Sequence, residues 1–145
     1  MAQKLFSAEE KTQIIEAIKT AENLTSGEIQ VHIESHCKME VLDRAAEVFE
    51  KLKMYQTAQR NGVLFYLAVE DHKFAILGDS GINQVVPEHF WEEIKDHMAA
   101  LFRAGKFTQG LIDGIHMAGD QLATHFPHQG DDDENELSDE ISFGS

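Results

Sequence analysis

The chain changes its hydrophobic period several times, and each change marks an element. Ile14, Ile15, Ile18 and Ala21 recur at helical spacing behind Ser7-Ala8-Glu9-Glu10. That tetrad is a capping box, in which the serine oxygen accepts from the Glu10 amide while Glu10 reaches back. A helix is therefore predicted over residues 8–22. Asn23 to Gly27 form a turn cluster, and Glu28-Ile29-Gln30-Val31-His32-Ile33-Glu34 then alternates at a period of two. The alternation predicts a strand with one face buried. Val41, Leu42, Ala45, Val48, Phe49 and Leu52 give a second amphipathic helix. After Asn61-Gly62 the run Val63 to Val69 is almost wholly apolar, as expected of a central strand covered on both faces.

Lys73 to Gly78 completes a hairpin whose turn is placed near Glu70–His72. Pro87 with Glu88, Glu92 and Glu93 predicts a helix start, proline in the first turn and acids at the positive end of the dipole. Phe90, Ile94, Met98, Leu101 and Phe102 supply its buried stripe, and Gly105 stops it. Phe90, Trp91, Met98 and Phe102 are assigned to core or to a helix–helix contact. Phe107, Leu111, Ile115, Leu122 and Phe126 carry a last helix to Pro127. A strand–helix–strand crossover, an antiparallel third strand and four helices together predict an α/β sandwich. With a right-handed crossover, Ser26–Glu28, Arg60–Gly62 and Gly78–Gly81 share one edge of the sheet. Glu34–Cys37 and Glu70–His72 share the other.

Length and charge narrow the function classes. The 145 residues fit one domain, and 42% hydrophobic content argues against wholesale disorder. Lys and Arg number 12 against 26 Asp and Glu, for a net charge of −14. Half of that excess lies after Gln129, where Asp131, Asp132, Asp133, Glu134, Glu136, Asp139 and Glu140 occur with no Lys or Arg. The chain thus divides into a domain over residues 1–128 and an acidic tail over residues 129–145 expected to be disordered. A nucleic-acid partner is excluded for want of clustered basic residues. Cys37 is the single cysteine, which excludes an internal disulfide and a multi-thiolate metal site. No apolar stretch reaches signal-peptide or membrane-spanning length, so a soluble cytoplasmic protein with no membrane partner is expected.

Candidate chemistry gathers at the first edge, with Gly27, Gly62, Gly78 and Gly81 around Glu28, Asn61 and Asp79. On the residues alone two readings stand: turns with solvated acids, or hard oxygen donors for Ca²⁺ or Mg²⁺. Thr25-Ser26-Gly27-Glu28-Ile29, Asn61-Gly62-Val63-Leu64, Gly78-Asp79-Ser80-Gly81-Ile82 and Phe102-Arg103-Ala104-Gly105-Lys106-Phe107 with Gly110-Leu111 occur in that order. In sequence and spacing they resemble the TPM domain family, over residues 7–126. The resemblance implies a three-layer α/β/α sandwich around a small mixed sheet of three to four strands, the fourth placed near Asn83–Val86. It also implies bound divalent cations, usually calcium, and the weak acid phosphatase activity of plant members. Two positions depart from the pattern. Arg60 stands where many relatives have Asp, and Gly78-Asp79-Ser80-Gly81 stands where many have Gly-Tyr-Gly.

Other constellations are weaker. His32 and His36 with Cys37 imitate a zinc set, but strand residues four apart lie about 13 Å from each other. Cys37 has no positioned base beside it in sequence to make it a nucleophile. Asp131-Asp132-Asp133-Glu134-Asn135 opens like a calcium loop, yet Glu136 replaces the required glycine and Ser142 the closing glutamate, which excludes an EF-hand. The leading expectation is a Ca²⁺- or Mg²⁺-binding TPM-type domain, with Glu28 and Asp79 as charged ligands and Asn61 as a neutral one. A metal-assisted acid phosphatase is the alternative, and a protein-interaction module whose acidic tail engages a basic partner is the third reading.

Overall fold

The computed structural model describes residues 6–128 and 140–144. Helix α1 (Ala8–Glu22) opens on the predicted capping box, with Ser7 Oγ accepting from the Glu10 amide at 3.0 Å and Glu10 Oε1 from the Ser7 amide at 3.0 Å. Strand β1 (Glu28–Glu34) and helix α2 (Val41–Lys51) follow, the latter capped by Glu40, whose carboxylate accepts from the Leu42 and Asp43 amides. A 3₁₀ turn at Met54–Gln56 precedes β2 (Gly62–Ala68), and β3 (Lys73–Gly78) returns antiparallel to it. Helices α3 (Ser80–Asn83), α4 (Glu92–Arg103) and α5 (Phe107–His125) come next, and β4 (Ser142–Phe143) is the last described element.

The sheet order is β3-β2-β1-β4, with β1 parallel to both β2 and β4. Alternation sorts the strand side chains into two layers. Ile29, Val31, Ile33, Val63, Phe65, Leu67 and Ile76 form one core with α1, α4 and α5. Leu64, Tyr66, Ala68 and Ala75 form a second with Ala45 and Val48 of α2. The result is the expected α/β/α sandwich on a small mixed sheet. Among the described residues no helix is long and apolar enough to cross a membrane.

Three expectations are corrected. The polar face of β1 is buried like the apolar one: Glu28, Gln30, His32 and Glu34 are 3%, 7%, 7% and 3% exposed. Buried polar groups persist where hydrogen bonds replace water, and Arg44, Tyr66 and Ser142 supply them to His32 and Glu34. The period of two separates two chemistries here, not an inside from an outside. Next, Asn83–Val86 is not a strand. Asp79 accepts from the Ser80 amide and starts α3 there, and the fourth strand comes instead from Ser142–Phe143. These two residues belong to the stretch expected to be disordered, most of which lies outside the described residues. Finally, α4 begins at Glu92, because Pro87 to Trp91 form hydrogen-bonded turns in which the Phe90 and Trp91 rings meet edge to face at 4.7 Å.

Gly105 ends α4 in the left-handed region at φ 78°, which glycine adopts without steric cost. Beyond it, α5 lies very close to its neighbours. A Cβ at Gly110 would meet the Phe102 ring at 2.4 Å, one at Gly114 the Met98 sulfur at 2.4 Å, and one at Gly119 the Ala21 Cβ at 2.8 Å. The last contact is on the backbone side of α1, where nothing swings away. Gly119→Val therefore forces α1 and α5 apart. Overpacking of this kind costs about 1–3 kcal/mol, more than the few tenths gained on replacing a helical glycine by valine. A urea-unfolding free energy lowered by that amount is expected; an unchanged free energy would show that the helices can separate freely.

Candidate functional site

The first sheet edge is knitted by backbone. The Glu28 amide donates to the Asn61 carbonyl at 3.3 Å, the Asp79 amide to the Gly62 carbonyl at 2.9 Å and the Gly81 amide to the Arg60 carbonyl at 2.8 Å. Segments from β1, β2 and β3 thus meet as the right-handed crossover requires. Side chains then form two groups. Ser26 Oγ accepts from Asn61 Nδ2 and Gln59 Nε2, both at 3.3 Å, and the Asn61 amide donates to Thr57 Oγ1 at 3.2 Å. Asn61 is 1% exposed, and among the described residues its Oδ1 has no hydrogen-bond partner.

The second group is an ion pair. Arg60 grips Asp79 with two parallel bonds, Nε to Oδ2 at 2.8 Å and an Nη to Oδ1 at 2.9 Å. These bonds raise the pKa of the guanidinium. Asp79 is buried while half of the Arg60 side chain is exposed. Arg60 holds this position from a left-handed backbone at φ 50°, a conformation costing a non-glycine residue about 1–2 kcal/mol. Gly81 passes so near that a Cβ there would sit 2.1 Å from the Gln59 carbonyl oxygen. A groove of about 460 Å³ beside the pair is lined by Tyr55, Arg60, Asp79, Ser80 and Asn83, among others.

Toward the opposite edge lies a denser polar centre. Glu34, at the end of β1, accepts two parallel bonds from Arg44 of α2, both at 2.9 Å, a bond from the Tyr66 hydroxyl, and one involving His32 Nε2 at 3.1 Å. Burial pushes this carboxyl upward. The Arg44, Tyr66 and His32 bonds outweigh burial and hold it at about 2. Burial lowers the pKa of His32 against the pull of Glu34, which keeps the ring neutral. With Glu34 accepting, the proton sits on Nε2, and Nδ1 is left to accept from the Ser142 hydroxyl at 2.8 Å. The His32 ring lies nearly parallel to Tyr66, at 11° and 5.9 Å. Tyr66 is raised by burial first and then by its bond to Glu34, so it remains a neutral donor.

The sequence profile of the TPM domain matches residues 2–121. The chain belongs to the TPM domain family. The NMR structure of BA42 protein from the psychrophilic bacterium Bizionia argentinensis is 49% identical, with 96% of this chain and 95% of that one covered and a TM-score of 0.90. An N-terminal domain from P. gingivalis, at 17% identity, covers 86% of this chain and 82% of its own with a TM-score of 0.68. The N-terminal domain of cg2496 from Corynebacterium glutamicum, at 11% identity, covers 97% and 80% with a TM-score of 0.65. At those identities the last two share the fold. No curated protein sequence matches.

This TPM domain brings Asn61 beside Ser26 and Asp79 beside Arg60, while Glu28 adjoins Asn61 through its backbone and is itself buried. Among the described residues no group of three or more His, Cys, Asp or Glu is disposed to hold a metal ion. His32 and His36 turn to different partners, the latter to Asp71 Oδ1 at 3.0 Å. The Cys37 thiol donates to the Met39 carbonyl at 3.2 Å, and its amide to Asp71 at 2.6 Å. Met98 is buried, and Phe90, Trp91 and Phe102 pack partly buried against the same core. The Glu34–Arg44–Tyr66 centre was not anticipated. Its one sequence signal was the hydroxyl of Tyr66 inside an otherwise apolar run, since a buried hydroxyl needs a partner.

Glu34 makes stability depend on pH with a definite sign. Its folded pKa, about 2, lies below its ordinary 4.5. The stabilisation is complete above pH 4.5 and is lost as pH falls from there toward 2. In urea-unfolding free energies measured across that window, Glu34→Gln should decline less steeply than wild type. Arg44→Leu leaves the carboxylate buried and short of its cation, at a cost of about 3–5 kcal/mol. Equal slopes for wild type and Glu34→Gln would remove Glu34 from this role.

Proposed function

We propose that this TPM domain binds a hard divalent cation, Ca²⁺ or Mg²⁺, at the edge where β1 and β2 begin and β3 ends. The observation that carries the reading is Asn61 Oδ1, a buried oxygen with no hydrogen-bond partner among the described residues. Leaving such an atom unsatisfied costs about 1–3 kcal/mol, and a hard cation is what an amide oxygen of this kind satisfies. Glu28 and Asp79 are the carboxylates of the same edge, both buried. These oxygens are of the hard type such an ion takes, and both Asp79 oxygens are bonded to Arg60. The guanidinium is a resident competitor for the anionic ligand. We further propose that the domain works in the cytoplasm, where its single Cys37 stays a thiol.

A phosphatase reading uses the same edge. A cation bound there would polarise a phosphoryl oxygen, and the groove beside Arg60 and Ser80 has room for a small ester. Under this reading Arg60 orients the phosphate, and Glu28 and Asp79 hold the ion.

Titration with CaCl₂ or MgCl₂ monitored by amide chemical shifts should move residues 26–28, 60–62 and 78–82. Arg60→Gln, which frees Asp79, should tighten the cation several-fold, and Asn61→Leu should weaken it. Shifts absent from those segments, or affinity that falls in Arg60→Gln, would overturn the cation site. Hydrolysis of p-nitrophenyl phosphate that survives both Glu28→Ala and Asp79→Ala would separate any phosphatase activity from this edge.

A further inference from the structure

The chain's own C-terminal residues sit in a slot on β1 that reads their sequence position by position. Ser142 and Phe143 pair in parallel with His32 and Ile33, and the Gly144 amide donates to the Ile33 carbonyl at 2.8 Å. The Ser142 hydroxyl meets His32 Nδ1 at 2.8 Å. Ile141 and Phe143 pack against the main core, and Lys11 Nζ lies 5.3 Å from the centre of the Phe143 ring. A Cβ at position 144 would sit 2.4 Å from Glu34 Oε1 and 3.0 Å from both Glu34 Cβ and His32 Nε2. Glu34 cannot move aside, because Arg44 and Tyr66 pin it. Four successive positions are therefore specified: apolar, serine, aromatic, glycine.

Only two residues of β4 form ladder pairs, and thirteen residues, 129–141, separate it from His128. The β1 edge next to it is closed differently, by the Glu22 carboxylate accepting from the Ile29 amide at 2.9 Å. A short strand added at a sheet edge, with pockets for specific side chains, is how proteins accept extended peptides. We propose that this slot is a peptide-binding site for an extended partner segment of apolar–Ser–aromatic–Gly pattern, and that β4 is its competitor in cis. Tethering gives the resident strand an advantage equivalent to about millimolar free peptide, so an incoming segment gains access when β4 is displaced. A partner protein, not a second copy, is the occupant, since each copy carries a net charge of −14 and two of them repel.

The test uses the full-length protein and a fluorescent peptide of residues 140–145, Glu-Ile-Ser-Phe-Gly-Ser. Gly144→Val drives β4 out by the steric clash on Glu34, and Phe143→Asp drives it out by a different route. Anisotropy titrations should show both variants binding the peptide at least tenfold more tightly than wild type. A peptide carrying the Gly→Val change should fail to bind either variant, and amide shifts should localise to β1. Equal binding by wild type and both variants, no binding up to millimolar peptide, or indifference to the peptide's glycine would overturn the proposal. Unfolding of both variants would also overturn it, because a slot that cannot stand empty cannot accept a partner. A heterodimer of wild type with Gly144→Val, detected by light scattering, would refute the partner assignment in favour of a second copy.

Discussion

A carboxylate held almost completely out of water governs much of this architecture. Glu34 closes β1, and its charge is tolerable there only because Arg44 meets both oxygens, with Tyr66 and His32 taking the remaining lone pairs. Removing two charges from water costs several kcal/mol per ion, and near-ideal geometry is needed to offset it. The arrangement therefore fixes more than itself. It sets the rotation of α2 through Arg44, the position of the β2 hydroxyl through Tyr66, and the tautomer of His32. That tautomer in turn settles how Ser142 can dock. One ion pair thus links the helix layer on one face, the central strand and the last strand of the sheet.

The other edge solves a similar problem with opposite economy. Asp79 is buried and Arg60 reaches it from the surface, so the pair is half in solvent and weaker than its geometry suggests. Arg60 accepts a left-handed backbone to do so, and Gly81 must be a glycine for the two loops to pass. Strain of this sort concentrates where backbones converge for a purpose. Beside the pair, Asn61 Oδ1 is left without a hydrogen-bond partner among the described residues in a buried setting. A tightly held pair at one end of the sheet and an incompletely satisfied one at the other give the two edges different capacities for change.

Much of the fold was legible because local and global signals agreed. The capping box placed α1, the unbroken apolar run placed β2 at the centre, and Gly105 marked the end of α4. The candidate edge followed from the handedness of the crossover. What the alternation in β1 could not disclose is the fate of its polar face, because a period of two reports that faces differ and not what covers them. Arg44 and Ser142 lie 10 and 108 residues from Glu34 in the chain, and no local pattern joins them. The fourth strand escaped for the same reason: two residues are too few for periodicity, and their pairing is decided by the slot on β1. Arg60 was visible as a departure, but only its bidentate grip on Asp79 shows what that departure does.

Helix α5 carries a consequence of another kind. Its face toward α4 and α1 is built from Gly110, Gly114 and Gly119, and each interior glycine weakens an isolated helix by about 1 kcal/mol relative to alanine. The segment forgoes intrinsic helicity for closeness to its neighbours. Its helix therefore leans on tertiary packing more than on local propensity, and its shape is written partly in other parts of the chain.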